Sequence, residues 1–275
     1  MYDVFFDALF DSLKLVPYLI ITFLILEFVE HKITKKNRKL IRGKRKIGPL
    51  VGGILGGLPQ CGFSVMAGNL FSGRIITMGT LISIFLSTSD EMLPIMLGEN
   101  VDFIFVLMIV VFKMCVGVVV GFLVDIFYIK FAKKEKIKKN EVMEVCAHDH
   151  CGCNEKNLFV SAVKHTLKTI VFVFIANIII GIILYYVGEE RLANLLLEGN
   201  ILTYFLASLV GLIPNCAPSI IITELYVSNL ISIGTLLSGL LTGSGAGILL
   251  LFKNNRNMRQ NFLIVMIIYL TQMNY

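Results

Sequence analysis

The stretch 56-GGLPQCGFS-64 lies inside an apolar run, and the same order of Gly, Pro, side-chain amide, Cys and Ser returns 155 residues later as 211-GLIPNCAPS-219. Proline removes a backbone donor and breaks a helix. Within a bilayer no water satisfies the freed groups, so such a break survives only when it is buried in protein or lines a cavity. A chain that carries two of them at fixed spacing is constrained to an internal repeat built around paired helix breaks.

The repeat extends well beyond the motif. In a gap-free alignment at this offset, 12 of the 34 residues from Gly56 to Ser89 match their partners, including Pro59/Pro214, Cys61/Cys216, Ser64/Ser219, Gly79/Gly234, Thr80/Thr235 and Ser83/Ser238. Apolar bias raises matches among Leu and Ile, but it does not produce matched Pro, Cys and Ser. With a one-residue shift the match reaches the first spans, where 12-SLK-14 meets 166-TLK-168.

Composition supplies the setting. With 56% apolar residues, 16% charged residues and a mean hydropathy of +0.80, the chain has several runs near the ~20 residues needed to span a bilayer. The expected class is an all-α polytopic membrane protein. The first apolar run follows acids rather than bases and has no small-residue cleavage site after it, so it reads as a retained helix. Residues 4–29, 101–131, 158–187 and 260–275 read as spans. The stretches 47–97 and 201–252 are long and glycine-rich. As a continuous helix the first of these would be ~75 Å long against a hydrocarbon core of ~30 Å, so broken or re-entrant helices are expected, with breaks at Gly56, Gly57, Pro59, Gly62, Gly211, Pro214 and Pro218.

Loop charges set the sense of the repeat. Nine Lys/Arg between Lys32 and Lys46 place that loop in the cytoplasm, whereas its counterpart 188-GEERLANLLLEGN-200 has three acids against one base. The next pair alternates too, with 98-GENVD-102 acidic and 253-KNNRNMR-259 basic. Equivalent loops fall on opposite faces, which predicts two inverted repeats of about five membrane segments each. Residues 1–131 form the first repeat, 132–157 a cytoplasmic loop and 158–275 the second repeat. The net charge of +6 is concentrated in these loops and speaks to membrane orientation rather than to nucleic acid.

Inverted repeats with discontinuous helices are the architecture of many secondary transporters, whose substrate site forms at the breaks; the alternative is that the prolines are ordinary kinks satisfied by neighbouring helices. Candidate substrate residues are therefore Pro59, Gln60, Cys61 and Ser64 in the first repeat and Pro214, Asn215, Cys216 and Ser219 in the second. Paired thiols suit a soft ion or metalloid, and amide or carboxylate oxygens suit harder ions such as Mn(II); the alternative for each cysteine is a small packing residue. The run Ser87, Thr88, Ser89, Asp90 and Glu91 brings hydroxyls and two carboxylates to an apolar segment, which suggests ion or proton coupling, or else a solvated loop at the membrane surface. Glu224, equivalent to Asn69, is a further candidate acid. His165 falls opposite Asp11 in the shifted alignment, as a pair for proton coupling or as interfacial anchors.

The loop 146-CAHDHCGC-153 gathers Cys146, His148, His150, Cys151 and Cys153. These are ligand types for a transition metal, without the two spaced pairs of a folded zinc module, so a weak capture or sensing site is expected. The remaining cysteines lie in apolar segments, which is not a secreted disulfide pattern. No HExxH, GxSxG or P-loop motif is present, which argues against an enzyme or a self-contained ATP-driven pump. No resident cofactor is called for.

The chain resembles the ten-transmembrane heavy-metal exporters, also catalogued as arsenic-efflux-type permeases or manganese transporters. The matching elements are 11-DSLKLVPYLIITFLILEFVEHK-32, 56-GGLPQCGFS-64, 87-STSDEMLP-94, 148-HDHCGC-153, 164-KHTLK-168 and 211-GLIPNCAPS-219. The resemblance implies a multi-pass inner-membrane permease that moves a metal or metalloid outward, with the lipid bilayer and the transported ion as its partners and a homo-oligomer left open. Readings of another class are a metal-responsive membrane sensor or partner subunit, in which loop 146–153 is the working part, and an organic-solute permease such as one for organoarsenicals.

Overall fold

The computed structural model describes residues 47–57, 61–73, 75–89, 92–132, 158–187, 201–255 and 257–272, with isolated positions between 9 and 24 and Leu196; at the N-terminus of the helix from Cys61, and along parts of helices 103–132 and 158–187, it describes the backbone alone. All regular structure among these residues is helical: α1 Gly48–Gly56, α2 Cys61–Ser72, α3 Met78–Ser87, α4 Met92–Gly98, α5 Phe103–Ala132, α6 Leu158–Val187, α7 Ile201–Gly211, α8 Ala217–Val227, α9 Ile233–Thr242, α10 Gly247–Asn254 and α11 Met258–Thr271. The helices starting at Met78, Met92 and Phe103 each begin 155 residues before those starting at Ile233, Gly247 and Met258. Even the caps correspond. Thr77 caps α3 by accepting from the Thr80 N–H, and Ser232 caps α9 by accepting from the Thr235 N–H.

The long glycine-rich stretches are broken as expected, but only some of the breaks fall where proline and glycine suggested. Helices α1 and α7 end at Gly56 and Gly211. Gly62 and Pro218, by contrast, lie inside the first turn of α2 and α8. A helix's first turn has no partner for its N–H groups, so a proline there loses nothing. Further interruptions fall after Ser87 and after Thr242, where Thr88 and Gly243 leave helical geometry.

Close contacts give the directions of the chain. A side chain at Gly48 would meet Thr80, one at Gly52 would meet Thr80 and Ile84, and one at Gly56 would meet Ser87, so α1 and α3 run parallel and in step. The chain must therefore return between them, which makes α1 and α2 a helical hairpin, and the end of α1 at Gly56 stands level with the end of α3 at Ser87. At nine residues α1 is about 14 Å long, about half the hydrocarbon core. In the second half Gly234 lies against Tyr204, and Gly239 and Thr242 close on Ala207 and Gly211, so α7 and α8 form a second hairpin beside α9. Helix α5 is antiparallel to α3, with Gly121 against Gly79 and Gly117 against Ser83 and Ser87.

Packing between the halves is reciprocal. Helix α2 packs on α10, and its counterpart α8 packs on α4; α3 meets α11, and α3 and α9 meet each other. One core joins Met92 and Met96 of α4 to Ile222 of α8 and Leu236 of α9. Another joins Phe71, Leu81 and Phe85 to Leu251, Ile264 and Ile268.

Three stretches, Met78–Gly98, Phe103–Phe127 and Ile233–Asn254, are long and apolar enough to cross a membrane. Leu167, Val171, Ile175, Ile179 and Ile183 form an exposed apolar stripe at four-residue spacing on α6, and Ile104, Leu107, Met108 and Val111 do the same on α5. Such faces belong against lipid rather than water. The protein is a multi-pass membrane protein.

Candidate functional site at the paired helix breaks

The second hairpin tip is described throughout. Helix α7 ends at Gly211; the Asn215 N–H then donates to the Ile213 carbonyl at 2.7 Å, a tight turn around Pro214. The Asn215 side-chain oxygen accepts from the Cys216 N–H at 2.6 Å, so that oxygen is engaged in starting α8. Cys216 is buried, and its carbonyl accepts from the Ser219 hydroxyl at 2.7 Å. In the first tip Pro59 and Gln60 and the Cys61 side chain lie outside the described residues. Ser64 is fully buried, and its carbonyl lies where a Cβ on Gly247 would strike it, 2.7 Å away. The start of α2 is thereby pressed against the start of α10.

Hydroxyls fasten each hairpin to the adjacent broken span. Ser83 Oγ on α3 donates to the Pro49 carbonyl of α1 at 2.7 Å, and Thr242 Oγ1 on α9 donates to the Ser208 carbonyl of α7 at 2.8 Å. The breaks themselves are buried: Ser87, Thr88 and Ser89 are at most 2% exposed and Ser244 is 1% exposed. The Thr88 and Ser87 hydroxyls turn back on their own helix, donating to the Ile84 carbonyl at 2.7 Å and the Ser83 carbonyl at 2.7 Å. Among the described residues Ser244 Oγ has no hydrogen-bond partner.

Sequence reasoning passed over a residue at this junction. Lys113, in the middle of α5, is 1% exposed and directs its ammonium at the carbonyls of Thr88 and, at 2.9 Å, Leu240. These carbonyls belong to the ends of α3 and α9, where helices leave their last carbonyls without intrahelical donors and carry partial negative charge. A lysine inside the run 103-FIFVLMIVVFKMCVGVVV-120 was the available signal, because ionisable groups within a span are costly and by default functional. It has no counterpart in the repeat, where Ile268 stands at the equivalent position, and a search for matched residues cannot find it.

The other candidates are placed as follows. Glu224 is exposed on α8, while Asn69 at the equivalent position is buried and accepts from the Asn254 side chain at 2.6 Å. Asp11, Asp90, Glu91 and the loop residues Cys146, His148, His150, Cys151 and Cys153 lie outside the described residues, as does the His165 side chain on α6. Among the described residues no three His, Cys, Asp or Glu side chains gather as a metal cluster. The oxygen donors at the junction are carbonyls and hydroxyls, a hard set that favours hard cations over soft ones.

A family model described as "putative, 10TM heavy-metal exporter" matches residues 1–155 and 131–249 of the chain. No curated protein and no solved structure matches it.

Proposed function

Since the chain belongs to the ten-transmembrane heavy-metal exporter family, we propose that it is an inner-membrane secondary transporter that carries a heavy-metal cation or metalloid, such as manganese or arsenite, outward by alternating access. It is a carrier and not an enzyme. The observation that carries this reading is the level at which α1 and α7 end. Gly56 stands against Ser87 and Gly211 against Thr242, so α1 and α7, the helices that the two Pro-amide-Cys motifs follow in the sequence, end at the depth at which the spans α3–α4 and α9–α10 break. Discontinuous helices meeting at one depth provide a polar site inside the bilayer.

The halves are read as inverted. A hairpin that returns to its own face contributes no net crossing, which leaves the first span read from the sequence, the broken span and the last helix, α5 or α11, as three crossings per half, an odd number. The alternating loop charges support the same sense. Pro59, Gln60, Cys61, Ser64, Pro214, Asn215, Cys216 and Ser219 then surround the substrate. Ser87, Thr88, Ser89, Asp90 and Glu91 serve ion coupling, with Glu224 and the pair Asp11 and His165 as further coupling candidates. The 146–153 loop collects metal on the cytoplasmic side.

The test is flux of Mn, Zn, Co, Ni, Cu and arsenite in proteoliposomes, wild type against the double variant Cys61→Ser/Cys216→Ser. Wild type should carry at least one of these, and the double variant should lose about tenfold or more of that flux. Absence of flux for every ion would refute the transporter reading, and full flux in the double variant would remove the thiols from the site.

A further inference from the structure

We propose that the junction between the ends of α3 and α9 is a binding site for a small monovalent cation, and that the Lys113 ammonium is its tethered occupant. Three observations carry this. First, the site is made of what binds such ions: carbonyl oxygens at two helix C-termini, where each helix end contributes roughly half a negative charge. Second, Lys113 reaches both halves of the molecule from a third helix, with Thr88 on one side and Leu240 on the other. Capping α3 alone would need only the first contact. Third, the buried Ser244 hydroxyl, four residues beyond Leu240, has no hydrogen-bond partner among the described residues, so the second break holds an oxygen that none of them engages.

An ammonium and a potassium ion are close in size, and both accept a cage of carbonyl oxygens in place of water. In a transporter such a site would ordinarily hold a dissociable coupling ion at the meeting point of broken helices. Here the ion is covalently attached, so the junction stays filled and the two halves stay bridged without any alkali ion from solution. Binding at the junction does not depend on the transport reading; only its consequence for flux does.

Shortening Lys113 should open the site to a free cation. Purified full-length wild type and Lys113→Ala are melted in detergent in potassium, methylammonium or choline chloride at equal ionic strength. In choline the variant should unfold at lower temperature, and potassium or methylammonium should restore at least half of that loss by mass action on the folded state. Wild type should not distinguish the three salts. Lys113→Met, which fills the space without charge, should lose stability and show no cation response. The proposal is overturned if Lys113→Ala gains no more from potassium or methylammonium than from choline, if wild type gains as much, or if Lys113→Met responds equally. Should Lys113→Ala not be recovered folded in choline, solubilisation in methylammonium replaces the melt: monodisperse protein only with methylammonium supports the site, and none in either salt overturns it. In proteoliposomes Lys113→Ala should need potassium or methylammonium for metal flux that wild type sustains in choline. If wild type moves no metal the transport reading fails, while the melting shifts still decide the junction.

Discussion

Helix α3 is held at both of its ends by charges on one neighbour. Lys113 meets the Thr88 carbonyl at its C-terminus, and Asp125, twelve residues later on α5, accepts from the Thr77 hydroxyl at 2.6 Å and the Gly79 N–H at 2.9 Å at its N-terminus. Twelve residues of helix rise about 18 Å and the ten residues of α3 about 15 Å, so an antiparallel pair brings each charge to the end it complements. The carboxylate faces the positive end of the helix dipole and the ammonium the negative end. Asp125→Asn keeps an acceptor but removes the charge, and should cost about 0.5–1 kcal/mol. Asp125→Ala also leaves the Gly79 N–H without this acceptor and should cost about 1–3 kcal/mol. Thermal unfolding of the purified variants in one detergent would rank them, and equal melting of Asp125→Ala and wild type would show that the carboxylate does not hold α3. The hydroxyl cap at this end recurs in the second half, where Ser232 caps α9 as Thr77 caps α3.

At the scale of elements, the hairpins lie against the broken spans because glycine lets backbones touch. A Cβ on Gly56 would fall on Ser87 Oγ and 2.6 Å from the Ile84 carbonyl, and one on Gly211 would fall on the Gly239 carbonyl and 2.5 Å from Thr242 Oγ1. Real Cβ atoms do not come so close, so Gly56→Ala and Gly211→Ala should each push a hairpin from its span and destabilise by about 1–3 kcal/mol. Gly98→Ala is the control, since nothing lies within 4 Å of that position, and should be close to neutral. Melting temperatures of the three variants test this, and loss at Gly98 equal to that at Gly56 would remove close packing as the cause. Much of this arrangement was legible in the chain. The repeat and the ends of α1 and α7 follow from matched Gly, Pro and Cys. The breaks after Ser87 and Thr242 were harder to read, because serine and threonine turn their hydroxyls back on the last carbonyls of their own helix and no proline marks the place. Lys113 was overlooked for the opposite reason: its signal is strong but unpaired, and the second half reaches it in space without repeating it.

On the scale of the whole molecule, α2 packs on α10 and α8 on α4, the reciprocal pattern that an approximate twofold axis between the halves would produce, and the way such an axis would lie in the membrane decides whether the halves are inverted. Were it perpendicular to the bilayer, equivalent loops would share a face. The charges argue otherwise, since 98-GENVD-102 is acidic where 253-KNNRNMR-259 is basic, and retention of basic loops in the cytoplasm sets orientation. Single cysteines placed by Asn100→Cys, Asn194→Cys, Lys139→Cys and Arg256→Cys, in a chain whose native cysteines are replaced by serine, report the outcome. A membrane-impermeant thiol reagent applied to intact cells should label positions 100 and 194 and spare 139 and 256 until the membrane is opened. Labelling of 100 and 256 from the same side would turn the axis along the membrane normal and undo the inverted arrangement. The pattern also bears on the loop at 146–153, which shares the face of residue 139. If that face is cytoplasmic, deleting residues 146–153 should weaken metal export at low metal concentration and leave flux at saturating metal nearly unchanged, because a capture loop raises local concentration without lining the path. Loss of flux at saturation would make the loop part of the transport site itself.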